Sequence, residues 1–273
     1  FAGAMYTTTV ETLMPDGKAL QMGTSHNLGQ NFSRPFEIKF LDRTGKEQYV
    51  WTTSWGISTR LIGGLIMVHG DDKGLIVPPQ LASTQVVIVP IYYKPIEKKA
   101  VLKEAVGVKN ELESDGVSVV IDDREGYTPG WKFNEWEMKG IPLRVEIGPR
   151  DVKNKQMIAV RRDTNEKTVV KNKNITTIKK LLDSIQKNLY KKAKQSLDKS
   201  ISSVKSYDEF KKIVKDKGGF VKASWCGETH CELQIKDETG ATIRIIPFKK
   251  EKVSKCVYCN KAGKEVVYFA KAY

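Results

Sequence analysis

All four cysteines of this 273-residue chain lie after residue 225, in two short pairs. Cys226 and Cys231 form the first pair, Cys256 and Cys259 form the second, and residues 232–255, 24 in number, separate them. A tetrahedral zinc ion takes four such ligands, because each short loop can turn two sulfurs towards one metal. A redox pair at Cys256 and Cys259, or free structural thiols, would leave the other pair unexplained. The spacing therefore predicts a structural zinc site. His230 could replace one of the thiolates, but it is adjacent to Cys231, and two neighbouring residues seldom bind the same metal ion.

The charge balance favours a polyanionic partner. The chain has 46 lysines and arginines against 32 acidic residues, a formal net charge of +14, which favours a polyanion such as nucleic acid, although basic proteins also occur simply as soluble, self-repelling monomers. Hydrophobic residues make up 40% of the chain, as in soluble globular proteins, and the length predicts two or three domains. Apolar runs fall far short of the roughly 20 residues of a bilayer span. No signal peptide is visible, so we expect a cytoplasmic protein.

The first part of the chain has the pattern of antiparallel β structure. Residues 1–12 predict a strand, and residues 36–40 and 49–53 predict a hairpin around the turn at 42–45. Pro78-Pro79 interrupts regular structure and predicts a domain boundary.

Residues 19–32, ALQMGTSHNLGQNF, predict a polar loop. Gly23 and Gly29 bracket hydroxyl, amide and imidazole groups. Such a loop suits a small polar ligand, although an ordinary hydrogen-bonded surface loop has the same composition.

Arg60 is the only lysine, arginine or acid between Thr52 and Gly70. Apolar residues follow it at helical spacing, which predicts a helix that is buried on one side. An arginine in a buried position must be paired or must meet a ligand, because an isolated buried charge is costly. The residues alone leave two roles open, a structural ion pair in the core or a fork of donors for phosphate.

Strands and helices alternate after residue 80, which predicts a parallel α/β unit. The predicted elements are a central strand at 86–91, a helix at 96–112, strands at 117–121 and 141–147, and a lysine-rich amphipathic connecting helix at 175–197.

Thr128 and Pro129 predict the start of a further helix. In that helix Trp131, Phe133 and Trp136 alternate with polar residues. Rings that stack bases beside polar side chains that contact base edges are typical of proteins that read single-stranded RNA. Aromatic residues on a short helix are also common in cores, so both interpretations stay open.

The segments TSWGISTRLIG (53–63) and HGDDKGLIVPPQLA (69–82) resemble motif 3 of class II aminoacyl-tRNA synthetases. They are similar to the prolyl-tRNA synthetase form of the archaeal and eukaryotic type, and the resemblance extends to Tyr273. It implies an α/β and α+β multidomain fold. The implied parts are the C-terminal part of a class II catalytic domain with its antiparallel sheet (1–79), an α/β anticodon-binding domain (80–172), a connecting helix (173–198) and a small zinc-binding α/β C-terminal domain (199–273).

The resemblance also implies roles for single residues. Arg60 is implied as the catalytic arginine that holds the γ-phosphate of ATP. The implied ATP and adenylate contacts are Gln21, Thr24 and Arg60, and the implied proline contacts are Thr24, His26, Ser54, Trp55 and Gly56. The implied anticodon contacts are Phe133, Glu137, Arg144, Arg150 and Asp151. The implied ligands of a structural zinc are Cys226, Cys231, Cys256 and Cys259, and the carboxylate of Tyr273 is expected near the active site.

The implied function is that of a proline–tRNA ligase, which activates proline with ATP to prolyl-adenylate and transfers it to tRNA(Pro). ATP, Mg²⁺ and Zn²⁺ are the implied cofactors, and a homodimer without membrane contact is the implied assembly. Motifs 1 and 2 of the class are absent from this chain. We therefore expect it to be the C-terminal part of a longer polypeptide and not to be catalytically competent alone.

Two other functions remain possible from the sequence. A non-catalytic tRNA-binding fragment or paralogue would need the anticodon-binding and zinc domains, but it has no use for Gln21, Thr24, His26 and Arg60. An unrelated zinc-dependent nucleic-acid binder would leave the same residues without a purpose.

Overall fold

The computed structural model describes residues 1–273 as a mixed α/β and antiparallel β protein. The strands are β1 (Tyr6–Leu13), β2 (Ala19–Gly29), β3 (Lys39–Leu41), β4 (Glu47–Tyr49), β5 (Thr52–Gly56), β6 (Val86–Pro90), β7 (Val119–Ile121), β8 (Leu143–Ile147), β9 (Gln156–Arg161), β10 (Lys167–Lys171), β11 (Ile201–Ser203), β12 (Phe220–Trp225), β13 (Thr242–Ile245) and β14 (Glu265–Ala270). The helices are α1 (Arg60–His69), α2 (Pro95–Ser114), α3 (Pro129–Met138), α4 (Pro149–Lys153), α5 (Ile175–Lys199), α6 (Tyr207–Asp216) and α7 (Thr229–Thr239). The predicted mixture of parallel and antiparallel β structure with helices is confirmed.

The chain divides into two compact units. The first unit comprises residues 1–64 and 196–273, and the second unit comprises residues 65–195. The chain passes from one unit to the other inside α1 and inside α5. None of the helices combines the length and the apolar character that crossing a membrane requires.

A five-stranded sheet with the order β10-β9-β8-β6-β7 forms the centre of the second unit. β6 is parallel to both β7 and β8, whereas β9 is antiparallel to β8 and β10. Val86 to Val89 are completely buried, as expected for a strand that is covered on both faces. The prediction that residues 86–91 form the centre of a parallel sheet is confirmed.

Helices α2 and α5 each contribute one apolar face to the core of this sheet. Their buried residues recur every three or four positions, which is the helical period. They are Val101, Ala105, Val108 and Leu112 of α2, and Ile178, Leu182, Ile185 and Leu189 of α5. Both predicted helices are confirmed; α2 extends slightly beyond both predicted ends, and α5 extends beyond its predicted C-terminal end. Helix α3 also begins as predicted, because the Thr128 hydroxyl accepts a hydrogen bond from the backbone N–H of Trp131 and Pro129 lies in the first turn.

The first unit contains an antiparallel sheet with the order β1-β2-β5. The prediction of a loop at residues 19–32 is wrong, because residues 19–29 form β2, the central strand of this sheet. The residues are polar, but β1 and β5 satisfy the backbone of β2 from both sides, and such pairing outweighs a weak strand propensity. The turn at 42–45 is confirmed, because β3 and β4 form a hairpin that is closed by hydrogen bonds to the Asp42 carboxylate. The predicted strand bounds are wrong, because the hairpin strands are shorter than 36–40 and 49–53, and residues 52–53 belong to β5, which pairs with β2.

Helix α1 begins at Arg60, as predicted, but its environment differs from the prediction. Only Gly64 is buried, where Met22 packs so closely that a Cβ would meet its methyl carbon at 2.8 Å. Ile62 and Ile66 are 62% and 41% exposed. Arg60 is itself exposed, and its Nη1 donates to the backbone carbonyl of Gln21 at 3.5 Å. The argument that Arg60 needs a partner because it is buried is therefore wrong, since no buried core surrounds its guanidinium.

A four-stranded sheet with the order β11-β12-β14-β13 completes the first unit. Helices α6 and α7 pack against it around Phe210, Val221, Ile235 and Phe269. Gly240 follows the last residue of α7, and its φ of +73° is the left-handed conformation that favours glycine at a helix C-terminus. This sheet positions the cysteine loops.

Candidate functional site

The four cysteine sulfurs meet in one cluster. All four Sγ atoms lie within 4.8 Å of one another. Cys226 Sγ is 3.6 Å from that of Cys231 and 3.8 Å from that of Cys259. A tetrahedral zinc with bonds of about 2.3 Å places its sulfurs about 3.8 Å apart. The cluster therefore has the dimensions of a metal site. His230 is exposed and is not part of it.

Backbone contacts hold the two cysteine loops together. Cys226 follows β12 directly, and the N–H of Val257 in the second loop donates to the carbonyl of Ser224 in β12 at 2.9 Å. Burial raises the pKa of Cys231, whereas a hydrogen bond from the backbone N–H of Lys261 lowers the pKa of Cys259 to about 7. The loops are thus built by the sheet and not by the cysteines alone.

Strands β2 and β5 bring most of the predicted proline contacts together. Thr24 is paired with Gly56 and His26 with Ser54, so these four residues lie on one face of the sheet, because strand side chains alternate. A Cβ at position 56 would lie 3.0 Å from the Thr24 hydroxyl oxygen, so the two strands leave little room for a side chain beside Thr24. Trp55 lies on the opposite face and is 78% exposed.

His26 has defined partners within this unit. The Thr7 hydroxyl lies 2.8 Å from its Nδ1, and the ring of Phe1 lies 4.6 Å from its ring. Gln21 lies on the same strand and accepts the Arg60 hydrogen bond through its backbone carbonyl. The adenylate and proline candidates thus lie on β2, β5 and the start of α1, with Trp55 on the opposite face of the sheet from Thr24, His26, Ser54 and Gly56.

The C-terminal residues pair with the beginning of β2. The Tyr273 N–H donates to the Ala19 carbonyl at 3.3 Å, and the Ala19 N–H donates to the Lys271 carbonyl at 2.7 Å. The Tyr273 hydroxyl donates to Asp16 Oδ2 at 2.8 Å, which raises the tyrosine pKa. Tyr273 is thus attached to the strand that carries Gln21 and is not a frayed tail.

Two of the predicted anticodon contacts, Phe133 and Arg144, are in direct contact. The guanidinium of Arg144 lies 4.2 Å from the centre of the Phe133 ring. Arg144 also donates to Glu146 Oε1 through Nε and Nη2, at 3.1 and 3.0 Å. Arg144 and Glu137 line one pocket. Phe133, Glu137 and Arg144 therefore form a connected group on α3 and β8.

Arg150 and Asp151 lie apart from that pocket, on α4. Arg150 is exposed. Asp151 accepts hydrogen bonds from the N–H of Gly148 at 2.9 Å and from the Gln156 amide at 3.0 Å. The carboxylate thereby closes the first turn of α4, so it has a structural role whatever else it contacts.

Two family models match parts of this chain. The family model described as "Anticodon binding domain" matches residues 85–187, and the one described as "Prolyl-tRNA synthetase, C-terminal" matches residues 207–273. Similar curated proteins include the proline–tRNA ligases of Alkaliphilus oremlandii and Acetoanaerobium sticklandii and proline–tRNA ligase 2 of Bacillus cereus. They are 53%, 51% and 52% identical over 275 aligned residues that cover 100% of this chain.

The chain belongs to the prolyl-tRNA synthetase family. It spans a little over half the length of these relatives, 56%, 56% and 57% respectively.

Sequence reasoning missed several residues around Glu137, at the end of α3. Arg162 and Lys73 both contact Glu137, and Asp71 contacts Arg162. Asp71 and Lys73 belong to the HGDDKG segment that carries the family resemblance, so a signal was present for them. Nothing in the sequence indicated Arg162, which is 91 residues from its partner Asp71.

Trp136 belongs to a buried polar network and not to an open stacking surface. Its indole N–H donates to Asp122 Oδ2 at 2.7 Å, and the Asp122 side chain is fully buried. Arg124 donates to both oxygens of that carboxylate at 2.8 Å, and Lys132 donates to the Asp122 backbone carbonyl at 3.0 Å. Trp136 is half-buried and also lines the pocket of Glu137 and Arg144, whereas Trp131 is 44% exposed and stacks on Tyr127.

Proposed function

We propose that this chain is part of a proline–tRNA ligase that forms prolyl-adenylate from proline and ATP and transfers the prolyl group to tRNA(Pro). The observation that carries the proposal is the contact between the Phe133 ring and the Arg144 guanidinium, beside Glu137, in the region similar to anticodon-binding domains. A ring, a planar fork of donors and a carboxylate acceptor can stack an unpaired base and read its edge.

The proposed domain organisation follows the resemblance. Residues 1–79 form the C-terminal part of the class II catalytic domain, and residues 80–172 form the anticodon-binding domain. Residues 173–198 form the connecting helix, and residues 199–273 form the zinc-binding domain.

In the proposed nucleotide site, Arg60 binds the γ-phosphate and acts as the catalytic arginine. Its position supports this role, because it begins α1 and a helix N-terminus favours anions. Gln21 and Thr24 would contact the adenylate from β2. The chemistry asked of these residues is positioning and charge stabilisation. Mg²⁺, when bound, would neutralise phosphate charge.

The proposed proline site lies on the adjoining strands. Thr24, His26, Ser54 and Gly56 share one face of the sheet, so they can surround a small substrate. The Trp55 side chain lies on the other face of β5, so Trp55 would contact proline only through its backbone or the edge of its ring. The Tyr273 carboxylate is proposed to lie near this site, which is consistent with the pairing of the C-terminal residues with Ala19.

We propose that the cysteine cluster holds a structural Zn²⁺. Cys226, Cys231, Cys256 and Cys259 would fill a tetrahedral shell, and a filled shell leaves no position for water or substrate. The ion would therefore stabilise the fold of residues 199–273 without entering the reaction.

In the proposed tRNA complex, Arg144 donates two hydrogen bonds to a base while Phe133 stacks, and Glu137 accepts from base N–H groups. Arg150 is exposed and can reach RNA, whereas Asp151 has lone pairs left beyond its two structural hydrogen bonds. A cytoplasmic location and a homodimer of the whole ligase complete the proposal.

Binding of the anticodon stem-loop of tRNA(Pro) tests this function. We expect Arg144→Ala to weaken binding by about 1–3 kcal/mol and to relax discrimination at one base. Arg43→Ala is the matched control, because Arg43 is an exposed arginine in the β3–β4 turn. In a full-length ligase that contains this chain, proline-dependent ATP–pyrophosphate exchange should stay nearly unchanged in Arg144→Ala.

Two results would contradict the proposal in different ways. Equal loss of RNA binding and of pyrophosphate exchange would give Arg144 a structural role. Specific RNA binding without exchange by the full-length wild type would support the non-catalytic tRNA-binding alternative.

A further inference from the structure

Glu137 is held from two sides by residues outside the proposed set of anticodon contacts. Its Oε1 lies 3.0 Å from Lys73 Nζ, and its backbone carbonyl accepts a hydrogen bond from Arg162 Nε at 2.9 Å. The Arg162 side chain is only 3% exposed. A buried guanidinium needs a complete set of acceptors, so Arg162 can occupy few other positions.

Asp71 connects these two contacts. Arg162 donates to both of its carboxylate oxygens, at 2.8 Å through Nη1 and at 2.6 Å through Nη2. Asp71 Oδ1 also accepts from the backbone N–H of Lys73 at 3.0 Å. The planar guanidinium orients the carboxylate, and the carboxylate orients the backbone from which the Lys73 side chain extends.

The backbone of residues 74–77 lies directly against the end of α3. Leu75 N–H donates to the Met138 carbonyl at 2.9 Å, and Val77 N–H donates to the Gly140 carbonyl at 3.1 Å. A Cβ on Gly74 would lie 2.6 Å from Met138 Cα. The segment that carries Asp71 and Lys73 is therefore fixed to the helix end that carries Glu137.

We propose that Lys73 and Arg162 are positioning residues that set the base specificity of Glu137. The inference rests on the proposed anticodon function of the pocket that Glu137 and Arg144 line. Lys73 occupies Oε1 and leaves Oε2 to accept from a base. Arg162 donates to the Glu137 carbonyl in the last turn of α3, where a cation is favourable, and thereby holds the Glu137 backbone in place.

The competing explanation is that Lys73 contacts RNA phosphate, because its side chain is 58% exposed. The two roles differ in measurable ways. A phosphate contact does not depend on which base is present. It contributes about 0.7 to 0.9 to the magnitude of the slope when the logarithm of the affinity is plotted against the logarithm of the salt concentration. A positioning residue changes discrimination between bases and leaves that slope as it was.

The experiment uses the whole chain with two RNA probes, the anticodon stem-loop of tRNA(Pro) and the same stem-loop with its anticodon bases substituted. Affinities are measured at several salt concentrations for wild type, Lys73→Met, Arg162→Lys, Glu137→Gln and the double variant Lys73→Met/Glu137→Gln. Lys98→Met is the matched control, because Lys98 also pairs with a glutamate, Glu125, in the same unit. Thermal melting reports the fold of each variant.

We expect Lys73→Met to weaken binding of the matched stem-loop about tenfold and of the substituted one much less. The double variant Lys73→Met/Glu137→Gln should differ from Glu137→Gln by less than about twofold in affinity, because both substitutions remove the same contact of Glu137 with a base. Arg162→Lys should lose discrimination similarly; if it unfolds, the Lys73→Met comparison still decides.

Equal loss for both RNAs, additivity with Glu137→Gln and a lower salt slope would overturn the positioning role and make Lys73 a phosphate contact. The positioning role would also be overturned if Lys73→Met and Arg162→Lys both distinguished the two RNAs as well as the wild type does. A wild type that does not distinguish the two RNAs would remove the proposed anticodon function itself, and this inference with it.

Discussion

The five-stranded sheet of the second unit and the three-stranded sheet of the first unit hold their candidate site residues in different ways. β6 and β8 of the larger sheet are almost entirely buried, and Arg144 is fixed there by Glu146 and Phe133. The smaller sheet has few buried residues, and Trp55 and Arg60 are exposed. The base-reading candidates are therefore preorganised by a core, whereas the nucleotide candidates are ordered mainly by backbone pairing.

Metal removal should give the largest difference between the two units. Structural zinc sites contribute on the order of 10–16 kcal/mol on binding, so chelation or Cys256→Ser should loosen residues 207–273 of the first unit. Amide hydrogen exchange would show the loss, and metal analysis should find about one zinc per chain in the wild type.

The second unit should keep its exchange protection under the same treatment, because its core contains no cysteine. A metal-free protein with four reactive thiols and a fully protected C-terminal region would end the structural-zinc proposal.

The same substitution in the two units compares their packing directly. Ile147→Ala removes a completely buried side chain from β8 and should cost about 2–5 kcal/mol of unfolding free energy. Ile57 follows β5 in the first unit, and its side chain is 76% exposed. Ile57→Ala should therefore change the free energy of unfolding by no more than about 0.5 kcal/mol. Urea unfolding measures both. Similar costs would show that residue 57 is covered in solution.

Substitution of two arginines, Arg161 and Arg60, distinguishes a structural role from a functional one. Arg161 is 8% exposed and donates to both oxygens of Asp163, so Arg161→Ala should destabilise the second unit by about 3–5 kcal/mol. Arg60→Ala should leave stability within about 0.5 kcal/mol, because the residue is exposed.

Arg60→Ala in a full-length ligase should nonetheless lower adenylate formation about 10²- to 10³-fold, as removal of one preorganised donor does. Melting curves and pyrophosphate exchange distinguish the two effects. An unfolded Arg60→Ala protein would restore the ion-pair role for this arginine.

Acid should weaken the second unit through Asp122, with the smallest effect of this series. Burial alone would raise the pKa of Asp122, but hydrogen bonds from Arg124 and Trp136 outweigh it and lower the pKa to about 2. Because the folded pKa lies below the unfolded value near 4, this stability is present above pH 4 and is lost as pH falls towards 2. The contribution is about 2 kcal/mol.

Asp122→Asn should therefore be less stable than wild type at pH 6 and should lose less stability between pH 4 and 2. Asp123→Asn is the control, because Asp123 is the exposed neighbour. An unchanged pH profile in Asp122→Asn would show that other carboxylates control acid unfolding.

Local patterns in the sequence predicted much of the fold. The continuous apolar run at 86–91 predicted the buried parallel strand, and the three-to-four spacing of apolar residues at 175–197 predicted α5. Thr128 and Pro129 predicted the start of α3 within one turn. Each of these signals is complete within a few neighbouring residues, so no distant contact was needed to interpret it.

Residues 19–29 show where local reasoning fails. Their glycines, hydroxyls and amide predicted a loop, yet strands β1 and β5 pair with both edges of this segment. Strand propensity is weak compared with such pairing, and β5 lies far along the chain from β2, since Gly29 pairs with Thr52 and Thr24 with Gly56. The exposure of Arg60 could not be read from the sequence either, because burial depends on what packs against a helix and not on the helix itself.

The sequence by itself determined that four thiols, two to a loop, would be able to share one metal, because ligand type and short spacing are local properties. Only the tertiary structure decided that the four sulfurs of the two loops lie within 4.8 Å of one another and that the Trp136 indole donates a hydrogen bond to Asp122. It also decided that Arg162 contacts both Asp71, 91 residues earlier in the chain, and Glu137, 25 residues earlier. Those contacts depend on strand order and helix packing, which bring together residues that no sequence window contains.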